Sequence, residues 1–123
     1  MTTYRLTRRM MTDPFPATPT PEKGWIESYG LHITADGKQP LDPRLDLDNH
    51  SPTGFECGYG GSGPHQTALA ILAHHLGDDN RAQALKHAFV RDVISQLQVP
   101  RDQDWEITGE EIDRWMAKEE QHD

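Results

Sequence analysis

The sequence predicts an α+β domain, a small antiparallel sheet from the N-terminal half packed with three C-terminal helices. Three observations carry that prediction. Leu31 and Ile33 alternate with His32 and Thr34 just before Asp36-Gly37, a dipeptide suited to a hairpin turn. Apolar residues after Pro64 recur at spacings of three and four. Helix-stopping signals at Gly77 and at Val99-Pro100 divide that half. At 123 residues and 13.9 kDa, the chain makes one domain, with no room for two independent cores.

Taken in order, Tyr4, Leu6 and Thr7 make a short strand. Asp13-Pro14-Phe15-Pro16 and Thr18-Pro19-Thr20-Pro21 remove backbone donors, so residues 12–23 read as a proline-rich linker. The β and loop half follows over residues 24–62. Trp25 to Tyr29 and Leu31 to Thr34 are strand material; Asp36-Gly37 turns the chain, and Pro40 confines the return strand to an edge. Residues 42–57 read as a long ordered loop. The helical half spans residues 63–118. Pro64 suits a first helical position behind a Ser62 or Gly63 cap, with Ala68, Leu69, Leu72 and Leu76 as the buried stripe and Gly77 as the left-handed end. Asp78 or Asp79 caps a second helix carrying Ala82, Leu85, Phe89, Val93 and Leu97, with Val90 and Ile94 beside them, which Val99-Pro100 stops. Trp105 and Ile107 flank a short extended piece. Thr108 and Glu111 match a capping box before a last helix with Ile112, Trp115 and Met116 on its apolar side.

Composition narrows the function classes. Net charge is -8 and mean hydropathy is -0.80, which argues against direct nucleic-acid binding driven by counterion release. No apolar run approaches the roughly 20 residues of a membrane span. The first eleven residues carry Arg5, Arg8 and Arg9 with no apolar stretch behind them, unlike a secretory signal. A single cysteine, Cys57, rules out an internal disulfide and fits a cytoplasmic setting. The charge is unevenly spread: nine acids lie in residues 101–123 against Arg101, Arg114 and Lys118.

Residues 54–64 read Gly-Phe-Glu-Cys-Gly-Tyr-Gly-Gly-Ser-Gly-Pro, leading directly into a helix start where free amides favour an anion. Tyr59, Gly60, Gly61, Ser62, Gly63 and His65 are therefore candidate contacts for a small ligand or anion, with His65 as a proton donor. Against that, a Walker loop needs Lys-Ser/Thr where Pro64-His65 stands, and Pro64 deletes one amide. The opposing reading is a tight crossover that docks the first helix on the sheet through Phe55 and Tyr59. No esterase elbow forms, because Pro64 replaces its last glycine. Seven histidines invite a metal, but adjacent His74 and His75 point about 100° apart on a helix. His87 would meet one of those two, and Cys57, His65 and His50 match no zinc spacing. Asp46 to His50 resembles a calcium-loop start but lacks its glycine and its glutamate. No catalytic set, metal or cofactor is assigned.

The run from Phe55 to Pro64, followed by Ala68-Leu69-Ala70-Ile71-Leu72, resembles a family of small uncharacterised proteins of bacteria, phages and mobile elements. The resemblance extends over Leu41-Asp42, Ser51-Pro52, Leu76-Gly77-Asp78, Phe89, Trp105, Thr108, Ile112 and Trp115. It implies a mobile-element setting and carries no catalytic residue. The expectation is a non-enzymatic acidic protein that inhibits a host macromolecular complex in the bacterial cytoplasm. A CRISPR-type host-defence nuclease complex is the natural example. Glu110, Glu111, Asp113, Glu119 and Glu120 are the expected partner surface, matched to a basic face on a host protein or ribonucleoprotein. A ligand-binding domain built on residues 58–65 is the alternative, and a homodimer through the second helix is a third reading.

Overall fold

The structure, a computed structural model, describes residues 2–11, 28–51, 54–100 and 103–120, with backbone alone for residues 9–11 and 28–30. The expected linker at 12–23, Trp25 and Ile26 lie outside the described residues. Among the described residues, the chain forms an α+β fold of four antiparallel strands in the order β3-β2-β1-β4 and three α-helices.

Strand β1, Thr3–Met11, is central and longer than the Tyr4 to Thr7 segment legible from β-propensity. It pairs with β2, Ser28–Ala35, so that Tyr4 faces Ala35 and Leu6 faces Ile33. Directly opposed residues share a face of a sheet. Tyr4, Leu6, Leu31 and Ile33 thus point together into the core, while Arg5, Thr7, His32 and Thr34 occupy the other face. The hairpin after β2 is the one its sequence predicts. Asp36 and Gly37 have φ of 55° and 67°, the positive pair a type I′ turn requires, and Asp36 Oδ1 accepts from the Thr3 N–H at 2.9 Å. Strand β3, Gln39–Pro40, is two residues long and lies at the edge, where a missing donor is harmless.

The extended piece at Trp105 is a sheet strand. β4, Asp104–Thr108, pairs with β1 on its other side, setting Ile107 opposite Tyr4 and Trp105 opposite Leu6. The sheet therefore takes its fourth strand from the far end of the chain.

Helix α1, Ser62–Leu76, starts behind Gly61, one residue before the expected cap, and no side chain caps it. Its burial also exceeds the predicted stripe. Ala68, Leu69 and Leu72 are fully buried as expected, but so are Gln66, Thr67, Ala70 and Ile71. It is a central helix, covered all round for most of its length, and periodicity fades in such a helix because every face is apolar. Gly77 closes it with φ of 63°. Helix α2, Asp79–Asp92, is capped by Asp78, whose side chain accepts from the Arg81 N–H at 3.1 Å. It ends earlier than expected. Ser95 Oγ takes the Arg91 carbonyl at 3.0 Å, a local bond that competes with helix continuation, and residues Ile94–Gln96 form a 3-10 turn. Ile94 and Leu97 are still buried. Helix α3, Gly109–Glu120, begins with the predicted capping box: Thr108 Oγ1 accepts from the Glu111 N–H at 3.1 Å and Glu111 reaches back. Trp115 seats it on α2, stacking edge-on to Phe89 at 4.9 Å and donating to Asp92 at 2.9 Å.

Candidate functional site

The glycine turn is closed by its own side chains. A Cβ at Gly63 would lie 2.6 Å from Glu56 Cβ, and one at Gly61 would lie 2.6 Å from the Tyr59 ring. The Glu56 contact gives Gly63 a packing reason, whereas the ring over Gly61 belongs to an exposed side chain. Gly58 has φ of 89°, which sets the bend that follows buried Cys57. Thr67 on α1 ties the incoming strand down: its hydroxyl accepts from the Glu56 N–H at 3.0 Å and donates to the Glu56 carbonyl at 2.7 Å. Phe55 docks against β2, bridging Leu31, as the crossover reading expects. Tyr59 does not. It is 52% exposed, with its ring folded over Gly61 instead of against the sheet. Of the other candidate contacts, Gly60 and Ser62 are exposed and Gly63 is buried. His65 turns toward α2, donating from Nδ1 to the Gly61 carbonyl at 2.8 Å.

The histidines separate by element. His74 Nδ1 and Tyr4 Oη share a hydrogen bond of 2.7 Å, and burial pushes that phenol well above its ordinary pKa, so it stays protonated. His75 meets Asp113 at 2.7 Å. His87 pairs with His65, not with His74 or His75. His50 lies near His65, whereas Cys57 faces Arg8, with its sulfur 3.8 Å from Nη2. Among the described residues, no group of three or more His, Cys, Asp or Glu side chains is disposed to hold a metal ion. In the calcium-like segment, Asp46 is bound to Arg44 and Asp48 to Lys86.

The acidic surface is partly spent on holding the fold. Glu111 belongs to the capping box, Asp113 to His75, Glu119 to Arg91 at 3.5 Å and Glu120 to Arg81. Glu110 is exposed and meets no donor among the described residues. Two further carboxylates outside the expected partner surface, Asp104 and Glu106, lie on β4, the strand that leads into α3. The signal was present in the Asp-Trp-Glu-Ile alternation, which puts both acids on the face opposite Trp105 and Ile107. The Arg8 N–H donates to the Gln103 carbonyl and the Gly109 N–H to the Thr2 carbonyl, so β1 bonds the odd-numbered residues of β4. The backbone groups of Asp104 and Glu106 therefore face away from the sheet, at an edge guarded by carboxylates. Arg5 pairs with Glu106 at 2.9 Å. A shallow open depression beside them is lined by Arg5, Thr7, His32, Thr34, Gly37 and Asp104. No helix among the described residues is long and apolar enough to cross a membrane.

No curated protein and no solved structure matches this chain. Residues 23–118, which take in the glycine turn, α1, α2, the acidic β4 edge and most of α3, match the model of a family of unknown function (DUF6166), and the chain belongs to that family.

Proposed function

We propose that this chain is a non-enzymatic interaction protein whose acidic β4–α3 face docks on a basic surface of a host macromolecular complex and inhibits it. The carrying observation is that Asp104, Glu106, Glu110, Glu111 and Asp113 are all exposed, and no basic residue lies between positions 104 and 113. Carboxylates so placed compete with nucleic-acid phosphates for Lys and Arg, where charge-assisted hydrogen bonds are strong. The resemblance to mobile-element proteins directs the choice of target to host-defence nuclease complexes of the CRISPR type, in the bacterial cytoplasm. Within the face, Asp104 and Glu110 are the stronger anchors, because Glu106, Glu111 and Asp113 already have intramolecular partners.

The test is binding to such purified complexes by the wild type and by an Asp104→Lys, Glu106→Lys, Glu110→Lys variant, with Tyr59→Phe as the control at the glycine turn. Binding that weakens steeply with added salt, is lost in the triple variant and survives in the control supports the proposal. Equal binding by the triple variant removes the acidic face from it.

A further inference from the structure

Residues 43–51 are fastened to α1 and α2 by a seam of polar contacts. Gln66, fully buried on α1, accepts from the backbone N–H groups of His50 and Ser51 at 2.8 and 3.0 Å. It donates to the carbonyls of Pro43 and Asp48 at 2.5 and 3.1 Å. From α2, Gln83 donates to the Leu47 carbonyl at 2.8 Å, and Lys86, only 6% exposed, donates to the Asp48 carboxylate at 2.7 Å. His50 sits inside that seam. Its Nε2 is buried without a hydrogen bond, and the Asp48 oxygen 3.3 Å away is the one Lys86 already holds.

Two more imidazoles close the cluster. The rings of His50 and His65 are 5.4 Å apart, and those of His65 and His87 are 4.6 Å apart. The Gly61 carbonyl can only accept, so His65 Nδ1 carries a proton and, in the neutral ring, Nε2 is bare. That nitrogen then accepts from His87 Nδ1–H at 2.7 Å.

We propose that His50 is the trigger of a proton-operated latch: with its imidazole neutral, residues 43–51 lie closed on α1 and α2, and acidification releases them while the sheet and helices stay folded. The charges that face His50 come from every element packed there: Asp48 on the segment itself, His65 on α1, and Lys86 and His87 on α2. Burial, and after it Lys86, hold the His50 imidazole below the ordinary histidine range, while Asp48 pulls the other way. The released segment takes up its proton at about pH 6.5, and the closed one only at lower pH. Closure is therefore fully favourable above about pH 6.5 and weakens as pH falls below it. The latch does not depend on the acidic β4–α3 face, and it gives the buried unpartnered nitrogen of His50 a role.

The test is amide hydrogen exchange on the whole chain, read by NMR together with the histidine titrations. Protection factors at residues 44–51 are expected to fall, by at most about tenfold, relative to those of β1 between about pH 7.5 and pH 5.5. His50→Gln, which cannot take the proton, is expected to abolish that fall. Should this variant not fold, the wild-type His50 titration decides: a midpoint below about 6.5 that rises in Lys86→Gln supports the latch. Protection at 44–51 that tracks β1 throughout overturns it. So does a pH response that persists in His50→Gln, or a His50 midpoint at or above about 6.5.

Discussion

Arg8 on β1 and Glu56 in the turn before α1 form a two-pronged ion pair, Nη2 to Oε1 at 2.8 Å and Nη1 to Oε2 at 3.0 Å. Arg8 Nε also donates to the Val99 carbonyl at 2.7 Å. One guanidinium thus joins the central strand, the glycine turn and the chain entering β4. Its planar fork suits this role in a way that a lysine would not.

Arg8→Met leaves Glu56 and the Val99 carbonyl without that donor at a site where the two side chains are 17% and 30% exposed. A loss of about 2–3 kcal/mol is expected in urea denaturation. Arg91→Ala, which breaks ion pairs at a side chain 65% exposed, is expected to leave the urea midpoint close to that of wild type.

The turn glycines are expected to differ in a fixed order. Gly63→Ala forces a methyl against Glu56 Cβ, close to the backbone and unable to swing away, and should cost about 1–3 kcal/mol. Gly61→Ala meets only the Tyr59 ring, which is exposed and can rotate out, so its cost should be smaller. Gly60→Ala meets nothing within 4 Å and should be within about 0.5 kcal/mol of neutral. Urea midpoints for the three variants check the ranking.

Gln66→Leu keeps the volume of a buried helix position but strips partners from His50 N, Ser51 N, Pro43 O and Asp48 O. A loss of about 2–4 kcal/mol is expected from thermal or urea melts. Amide protection at residues 44–51 should fall further than that of β1.

Burial pushes the Cys57 thiol above its ordinary range, and Arg8 offsets this only in part. The folded chain should therefore hold less thiolate than a free cysteine at any pH near 8, and its 6% exposure limits access further. Iodoacetamide labelling is expected to be at least about tenfold slower than in urea and to rise with pH.

What could be read from the sequence was what short stretches of chain decide for themselves. Asp36-Gly37 turns because two positive φ angles are needed there, and Thr108 with Glu111 caps because both partners lie within one turn. Features set by distant partners were not legible. Trp105 enters the sheet by meeting Leu6 from the other end of the chain, and α2 stops where Ser95 captures a carbonyl. The candidate site divides the same way. Its carboxylates are visible as charges in α3, but the pairing of Asp113, Glu119 and Glu120 with His75, Arg91 and Arg81 is a tertiary fact. The cluster of His50, His65 and His87 was hidden for the same reason, since it is assembled from a loop and two helices.

The most direct measurement is competition on a purified CRISPR-type nuclease complex, with labelled target nucleic acid displaced by the full chain. If the negative face occupies the cationic groove, the two ligands exclude each other and the triple lysine variant at Asp104, Glu106 and Glu110 displaces nothing. Simultaneous binding of chain and nucleic acid, or displacement by the triple variant as effective as by the wild type, contradicts that.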